Sequence, residues 1–437
     1  MIPSPQGFGN GFIRLGHNLR RPALLLHVSL DARFFYVLEL PSDKTLAAAQ
    51  RAPVEILLEI AEHLSQSDIS RAMMTCHLWG TALRPALFRC LRPGSFSGET
   101  GTGNGDHAKA QLLLRTLRSS PTLAGLAREL NLEAANAADH RVTIIEPLEL
   151  CQNLLTIRFR DLRRPAVKEA IPAEDEVLQA VLQAVTRPQT RQAVITGWAV
   201  SSITLLQAFC SCNNLVSLFI AVPEWTDPIH VGDSFHVSLP SLKRLVLSIR
   251  HFADELALRI IRQCPLLDEI TISVRRLTDP HALMDVLTVH QPELRRLYLF
   301  LNGEGVWKYR FFMDQYVSRF ASLTHLHCSL LTYGGALFDG RLPRSVRSLA
   351  VEAVDAAGID QRGEDPTRKF SYGKAAEFIL QCKKEGRSLG QFFITGVPEG
   401  EEGCSELRKI CELADVELRF TNVLSLNNLC HSLPSFH

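Results

Sequence analysis

The chain has 437 residues, of which 46% are hydrophobic and 21% charged, and its formal net charge is +1. That balance describes a folded globular chain with room for more than one core, not a disordered one. Near-neutral charge gives no electrostatic case for nucleic acid or an anionic membrane. Eleven cysteines are scattered without a paired C-x-x-C module, which argues against a zinc cage. Most stand where a small apolar residue would fit a repeating pattern, so they read as reduced, buried thiols of a reducing compartment, cytoplasmic or nuclear.

Residues 1–50 hold Arg14, Arg20 and Arg21 but no acidic residue before Asp31, a composition similar to a transit peptide. The apolar run Pro22–Leu40 is broken by His27, Asp31 and Arg33 and is too interrupted for a membrane span. A poorly ordered extension is the reading for this segment.

Residues 51–92 are the organising stretch. Pro53 is pre-set for the first turn of a helix, and Ile56, Leu57, Ile60 and Leu64 follow at one-face helical spacing. Ser67 and Asp68 suit the cap of a second helix, on which Ile69, Ala72, Met73 and Cys76 share a face. A third set, Trp79, Leu83, Ala86 and Leu87, is interrupted by Pro85. About forty residues cannot bury so many large side chains against each other, because so small a unit leaves most of its surface in water. The surplus must face the rest of the chain or another protein.

In order, spacing and residue type, this stretch resembles an F-box. The match runs through Pro53, Glu55, Ile56, Leu57, Ile60, Leu64, Asp68, Ile69, Cys76, Trp79, Pro85, Leu87 and Phe88, with departures at Ala52, Thr75 and His77. The resemblance implies three helices that dock on a Skp-family adaptor, itself bound by a cullin carrying a RING subunit. It maps the adaptor contact onto Pro53, Ile56, Leu57, Ile60, Leu64, Asp68, Ile69 and Trp79, some of which, Trp79 especially, would instead hold the helices together.

Residues 93–107 are glycine-rich but lack the Lys-Ser/Thr and preceding strand of a phosphate-binding loop, so they read as a linker. From 108 to 424 a phrase of the form L-x-x-L-x-L recurs, led by Leu154, Leu215, Leu242, Leu267, Leu294, Leu323 and Val346. The gaps from Leu215 are 27, 25, 27, 29 and 23 residues, within the window of leucine-rich repeats. The intervals at Ala253–Gln263 and Pro280–His290 read as returning helices, and Glu176–Thr186 with Ala193–Val200 as one irregular repeat. Helices at Ala110–Arg118, Lys374–Lys384 and Ser405–Leu413 and strands at Gln391–Thr395 and Val416–Phe420 complete the expectation. Residues 355–373 read as a long loop and 425–437 as a tail. The predicted fold class is therefore α/β: an N-terminal three-helix F-box followed by an irregular, ribonuclease-inhibitor-like solenoid of stacked leucine-rich repeats.

No catalytic elbow, zinc-protease or dinucleotide fingerprint occurs. His325, His327 and Cys328 cluster in THLHC, but an isolated H-x-H lacks further ligands, and both histidines are expected to face solvent. Cys210 and Cys212 are expected to be one buried and one partly exposed thiol. Strand alternation places Phe219, Arg244, Arg296, Tyr298, Phe300, His325 and His327, together with Glu269 and Thr271, on an outward face where exposed aromatics beside arginines would bind a target. The alternative for these residues is packing against a loop or the next strand. Trp307 is a similar candidate. The F-box resemblance implies a non-catalytic substrate-recognition subunit of a Skp–cullin–F-box type ubiquitin ligase, without cofactor or metal. The alternative is a repeat scaffold with no ligase role, to which the missing leading leucine at Ala52 points.

Overall fold

The computed structural model describes residues 52–93, 104–134, 139–162, 175–197, 208–222, 237–249, 254–274, 279–290, 292–301, 312–329, 332–333, 337–352, 370–395 and 403–421. The segments 1–50 and 425–437, Trp307 and almost all of the 355–373 loop lie outside them. The chain divides into two compact units, Met1–Phe88 and Arg89–His437.

In the first unit, helices α1 (Val54–Glu62), α2 (Gln66–Met73), α3 (His77–Ala82) and α4 (Arg84–Arg89) follow one another with almost no connection. Ser65, not Ser67 or Asp68, caps α2: its hydroxyl oxygen accepts from the Asp68 N–H at 3.2 Å and donates to the Asp68 carboxylate at 2.6 Å. The cap falls earlier than expected because Asp68 sits at the third helical position, where an acid answers the capping hydroxyl. Leu57, Ala61, Ile69, Ala72, Ala82 and Leu83 form the core, with Ala52, Leu64, Met73, Trp79, Ala86 and Leu87 packed around it.

The second unit is α/β and repeat-like. Among the described residues twelve strands form one sheet in which every strand neighbours its sequence successor, in the order β1 to β12, and each adjacent pair is parallel. They are β1 (Cys90–Leu91), β2 (Glu129–Ala134), β3 (Thr156–Asp161), β4 (Gln192–Gly197), β5 (Ser217–Val222), β6 (Arg244–Ile249), β7 (Glu269–Val274), β8 (Arg296–Leu301), β9 (His325–Cys328), β10 (Ser348–Glu352), β11 (Gln391–Thr395) and β12 (Glu417–Thr421). Parallel neighbours need long crossovers, and helices α5 (Asn104–Ser119), α6 (Pro121–Ala124), α7 (Glu146–Leu150), α8 (Glu176–Val185), α9 (Asp254–Arg262), α10 (Pro280–Val289), α11 (Met313–Tyr316), α12 (Tyr372–Lys384) and α13 (Cys404–Ala414) lie in them. α5 begins within the stretch expected to be linker, and β1 already belongs to this unit.

The repeat is locked by a recurring backbone device. From β2 to β10, the residue before each strand offers its carbonyl to two N–H groups of the next repeat. Val216 O receives Lys243 N and Arg244 N, Lys243 O receives Asp268 N and Glu269 N, Asp268 O receives Arg295 N and Arg296 N, and Arg295 O receives Thr324 N and His325 N, all at 2.8–3.1 Å. Each coil thereby fixes the register of its successor. Helices are stopped and started by ordinary chemistry: Asp175 caps α8, Asp279 caps α10 just ahead of Pro280, and Ser371 caps α12.

The core lies on one side of the sheet. Leu218 and Ile220, Leu245 and Leu247, Ile270 and Ile272, and Leu297 and Leu299 are sealed there, as are the repeat-leading Leu154, Leu215, Leu242, Leu267, Leu294 and Leu323. Gly197, at φ +88°, ends β4 where a Cβ would lie 1.9 Å from the Asp161 carbonyl oxygen, so no side chain fits. The described cysteines are free thiols. Cys210 and Cys212 are both buried, correcting the expectation that one would be partly exposed: Cys212 Sγ turns back to the Ala208 carbonyl at 3.4 Å and is covered with Cys210. No described helix is long and apolar enough to cross a membrane.

Candidate functional site

Two surfaces draw on the residues singled out from the sequence, one in each unit.

In the first unit the apolar stripe of α1 is wider than the part its neighbours cover. Leu57 (1% exposed) and Ala61 turn into the core, with Leu64 packed at its edge. Pro53, just ahead of α1, and Ile56 and Ile60 on it stand at i, i+3 and i+7 beside them and stay in water, Ile56 at 48% and Ile60 at 42% exposure. Met74 at the end of α2 and Leu78 on α3 are exposed too. Of the eight residues assigned to adaptor contact, Leu57 and Ile69 are core and Trp79 is half-buried against it. Asp68 is half-buried, held by Ser65 and facing Arg71 Nη1 at 3.5 Å. Burying the outer half of two isoleucines against a partner is worth about 2 kcal/mol in total.

In the second unit the register lines up the side chains opposite the core in rows. The first row runs Gln192, Ser217, Arg244, Glu269, Arg296, His325, Ser348 from β4 to β10. The second runs Val194, Phe219, Val246, Thr271, Tyr298, His327, Ala350 along the same strands. The face is the predicted one, but the expected exposure is corrected for six of its members, among them Glu269, buried beneath its two arginines, and Thr271, buried in its row between Val246 and Tyr298. Phe219 is buried because its register neighbours Val194 and Val246 flank it in one apolar cluster. Phe300 and His327 are buried because their rings pack against each other, centroids 4.3 Å apart at 51°. Arg244 is nearly buried beneath its ion pair to Glu269, Nη2 to Oε2 at 2.9 Å. Arg296, Tyr298 and His325 remain partly exposed.

The electrostatics of this face follow from burial. Glu269 is shared, its Oε2 also receiving Arg296 Nη1 at 2.9 Å. Burial, then the Glu269 carboxylate, push the Tyr298 phenol up to about 12. Partial burial lowers the His325 imidazole, and the Arg296 guanidinium lowers it further. His327 has no hydrogen-bond partner on either ring nitrogen, and desolvation drops it to about 3. The Glu352 carboxylate stands 3.9 Å from its Nε2, beyond hydrogen-bonding distance, so desolvation wins. No group of three or more metal-ligating side chains occurs among the described residues.

Sequence reasoning missed one set. Directly before alternate strands stand Arg191, Lys243, Arg295 and Arg347, all exposed. The signal was in the repeat itself, as a basic residue just after the leading residue of LKRL, LRRL and VRSL. No family model matches this chain, and no curated protein is similar to it.

Proposed function

We propose that the chain is the substrate-recognition subunit of a Skp–cullin–F-box type ubiquitin ligase. In this reading α1–α4 are an F-box that docks on a Skp-family adaptor. The second unit is an irregular, ribonuclease-inhibitor-like leucine-rich-repeat solenoid that holds a protein target. The observation that carries the reading is the uncovered half of the α1 stripe: Pro53, Ile56 and Ile60 continue an apolar face whose other half, Leu57 and Ala61, is already core. A folded unit of this size gains nothing from keeping two isoleucines half in water, and a partner helix laid along the stripe would cover them.

The subunit itself makes and breaks no bond. Through the adaptor, the cullin and the RING subunit it raises the concentration of a target lysine near the charged conjugating enzyme. The exposed residues are the ones to test, since Leu57 and Ile69 hold the unit together. Co-purification of the full chain with a Skp adaptor is expected, and Ile56→Asp with Ile60→Asp abolishes it while the thermal melt is retained. Undiminished capture by that folded double variant overturns the assignment.

A further inference from the structure

We propose that the starts of strands β4 to β10 form a docking strip for an extended acidic segment of a protein partner, with a carboxylate at about every third residue. The inference rests on reading the second unit as a holder of protein targets, and it names the chemistry of what is held.

The first observation is charge. Between Arg191 and Ser348 the two residues that open each strand include Arg191, Lys243, Arg244, Arg295, Arg296 and Arg347 against only Asp268 and Glu269. The whole chain is close to neutral at +1, so this edge concentrates positive charge that the rest of the molecule offsets elsewhere. Asp268 is answered by Arg295, Oδ1 to Nε at 3.7 Å, and Glu269 by two arginines. Lys243 and Arg347 are exposed and have no ion pair among the described residues.

The second observation is a pair of orphan donors. Gln192 Nε2 and Arg244 Nη1 are buried with no hydrogen-bond partner, and the register sets them on one row, on either side of Ser217. Buried N–H groups without an acceptor cost free energy that an incoming carboxylate relieves. Both missing partners are acceptors, which is what an acidic side chain supplies.

The third observation is spacing. Arg191, Lys243, Arg295 and Arg347 precede β4, β6, β8 and β10, every second strand. Strands lie about 4.8 Å apart, so these cations recur at about 10 Å. An extended peptide advances about 3.3 Å per residue, and three residues cover the same step. The +1 net charge lacks the basic excess of nucleic-acid binders, which favours a protein segment as the occupant. His325, lowered chiefly by burial, is lowered further by Arg296 and, more weakly, by Arg347, while Glu269 opposes them.

The test uses the full chain and a fluorescein-labelled peptide of four Glu-Ser-Gly repeats, read by anisotropy. The Gln-for-Glu peptide, a peptide with its four glutamates contiguous, and a single-stranded RNA are the comparison probes. Saturable binding of the spaced Glu peptide is expected, weakened by salt, with the contiguous peptide weaker and the Gln peptide inactive. Lys243→Glu and Arg347→Glu each weaken it by about fivefold or more, since reversal replaces attraction with repulsion at an exposed site. Equal binding of the Gln peptide, no loss in those variants, or binding of RNA in place of the peptide overturns the inference. Adaptor co-purification reads only the first unit, so loss of either result leaves the other standing.

Discussion

The first unit leaves a continuous apolar stripe along one helix in water; the second gathers positive charge along its strand starts. Both begin from the same material, short elements with one apolar face, but they close their cores differently. In the repeats each coil is covered by its successor, and the pre-strand carbonyls such as Lys243 O and Asp268 O fix the pairing, so Leu245, Ile270 and Leu297 reach complete burial. At the strand starts, which face solvent, Arg and Lys collect. In α1–α4 the stripe is only half taken into the unit's own core, and Ile56 and Ile60 stay half in water. A stack closes its core coil against coil, whereas the short bundle leaves part of its stripe outside its own core.

The largest effect should come from confusing the two halves of α1. Leu57→Asp puts an unpaired carboxylate into the first unit's core and costs more than about 4 kcal/mol, enough to unfold α1–α4. Ile60→Asp sits on the same helix but in water, and it leaves the circular dichroism and melt of the chain within error while removing adaptor capture. Equal damage from both would mean that Ile60 is core, and the contrast between the units would fail.

Within the repeats, Leu245→Ala removes a side chain with no exposure and costs about 3 kcal/mol. Because each coil touches chiefly its neighbours, hydrogen exchange should quicken first in β5, β6 and β7, with β2 and β11 protected longest. Uniform acceleration across all strands would show that the sheet opens as one body.

How much of this could be read beforehand depended on whether the deciding contact was local. The recurring strand phrase fixes its own register in the repeat, so Leu154, Leu215, Leu242 and Leu267 were legible as inward residues, and all four are sealed. The stripe on α1 was legible as a stripe. Which half of it would be buried was not, because α2 and α3 decide that. Alternation likewise told which strand residues share a face but not whether the face is covered. Phe219 is hidden by Val194 and Val246, each some 25 residues away and brought alongside only by the register. β1, two residues long, has no alternation to betray it.

A pH titration separates what burial does to a polar group on the charged face from what ion pairing does. His327 is sealed, and its folded value of about 3 lies below the ordinary 6.5. As pH falls the unfolded chain takes up this proton first, so its contribution is complete above 6.5 and is lost below it at about 1.4 kcal/mol per pH unit. Wild type should lose about 2 kcal/mol between about pH 6.5 and 5 from this group. His290 and His325, also lowered chiefly by burial, add slope in the same direction. His327→Leu keeps their share and removes its own, so the two urea-stability profiles should converge as the pH rises. Parallel profiles would mean that the imidazole finds its proton in the fold, through Glu352.

The smallest expected effect tests whether a unit that stacks absorbs damage better than one that does not. Ser65 caps α2 in the first unit and Asp279 caps α10 in the second, each accepting one backbone N–H three residues on, at 3.2 and 3.0 Å. Replacing either with Ala costs about 1 kcal/mol locally. The same loss weighs differently, because a small unit has little stability in reserve while a long stack shares the cost with its neighbours. Ser65→Ala should therefore speed hydrogen exchange throughout α1–α3, since Asp68 loses its hydroxyl partner as well and the whole bundle depends on α2 staying in place. Asp279→Ala should speed it only in the first turn of α10, whose Leu283, Met284 and Leu287 remain anchored in the apolar layer. If the Asp279 variant loosens β7 and β8 as broadly as the Ser65 variant loosens its bundle, then the coils do not buffer one another, and the reason for the difference between the two units lies elsewhere than in stacking.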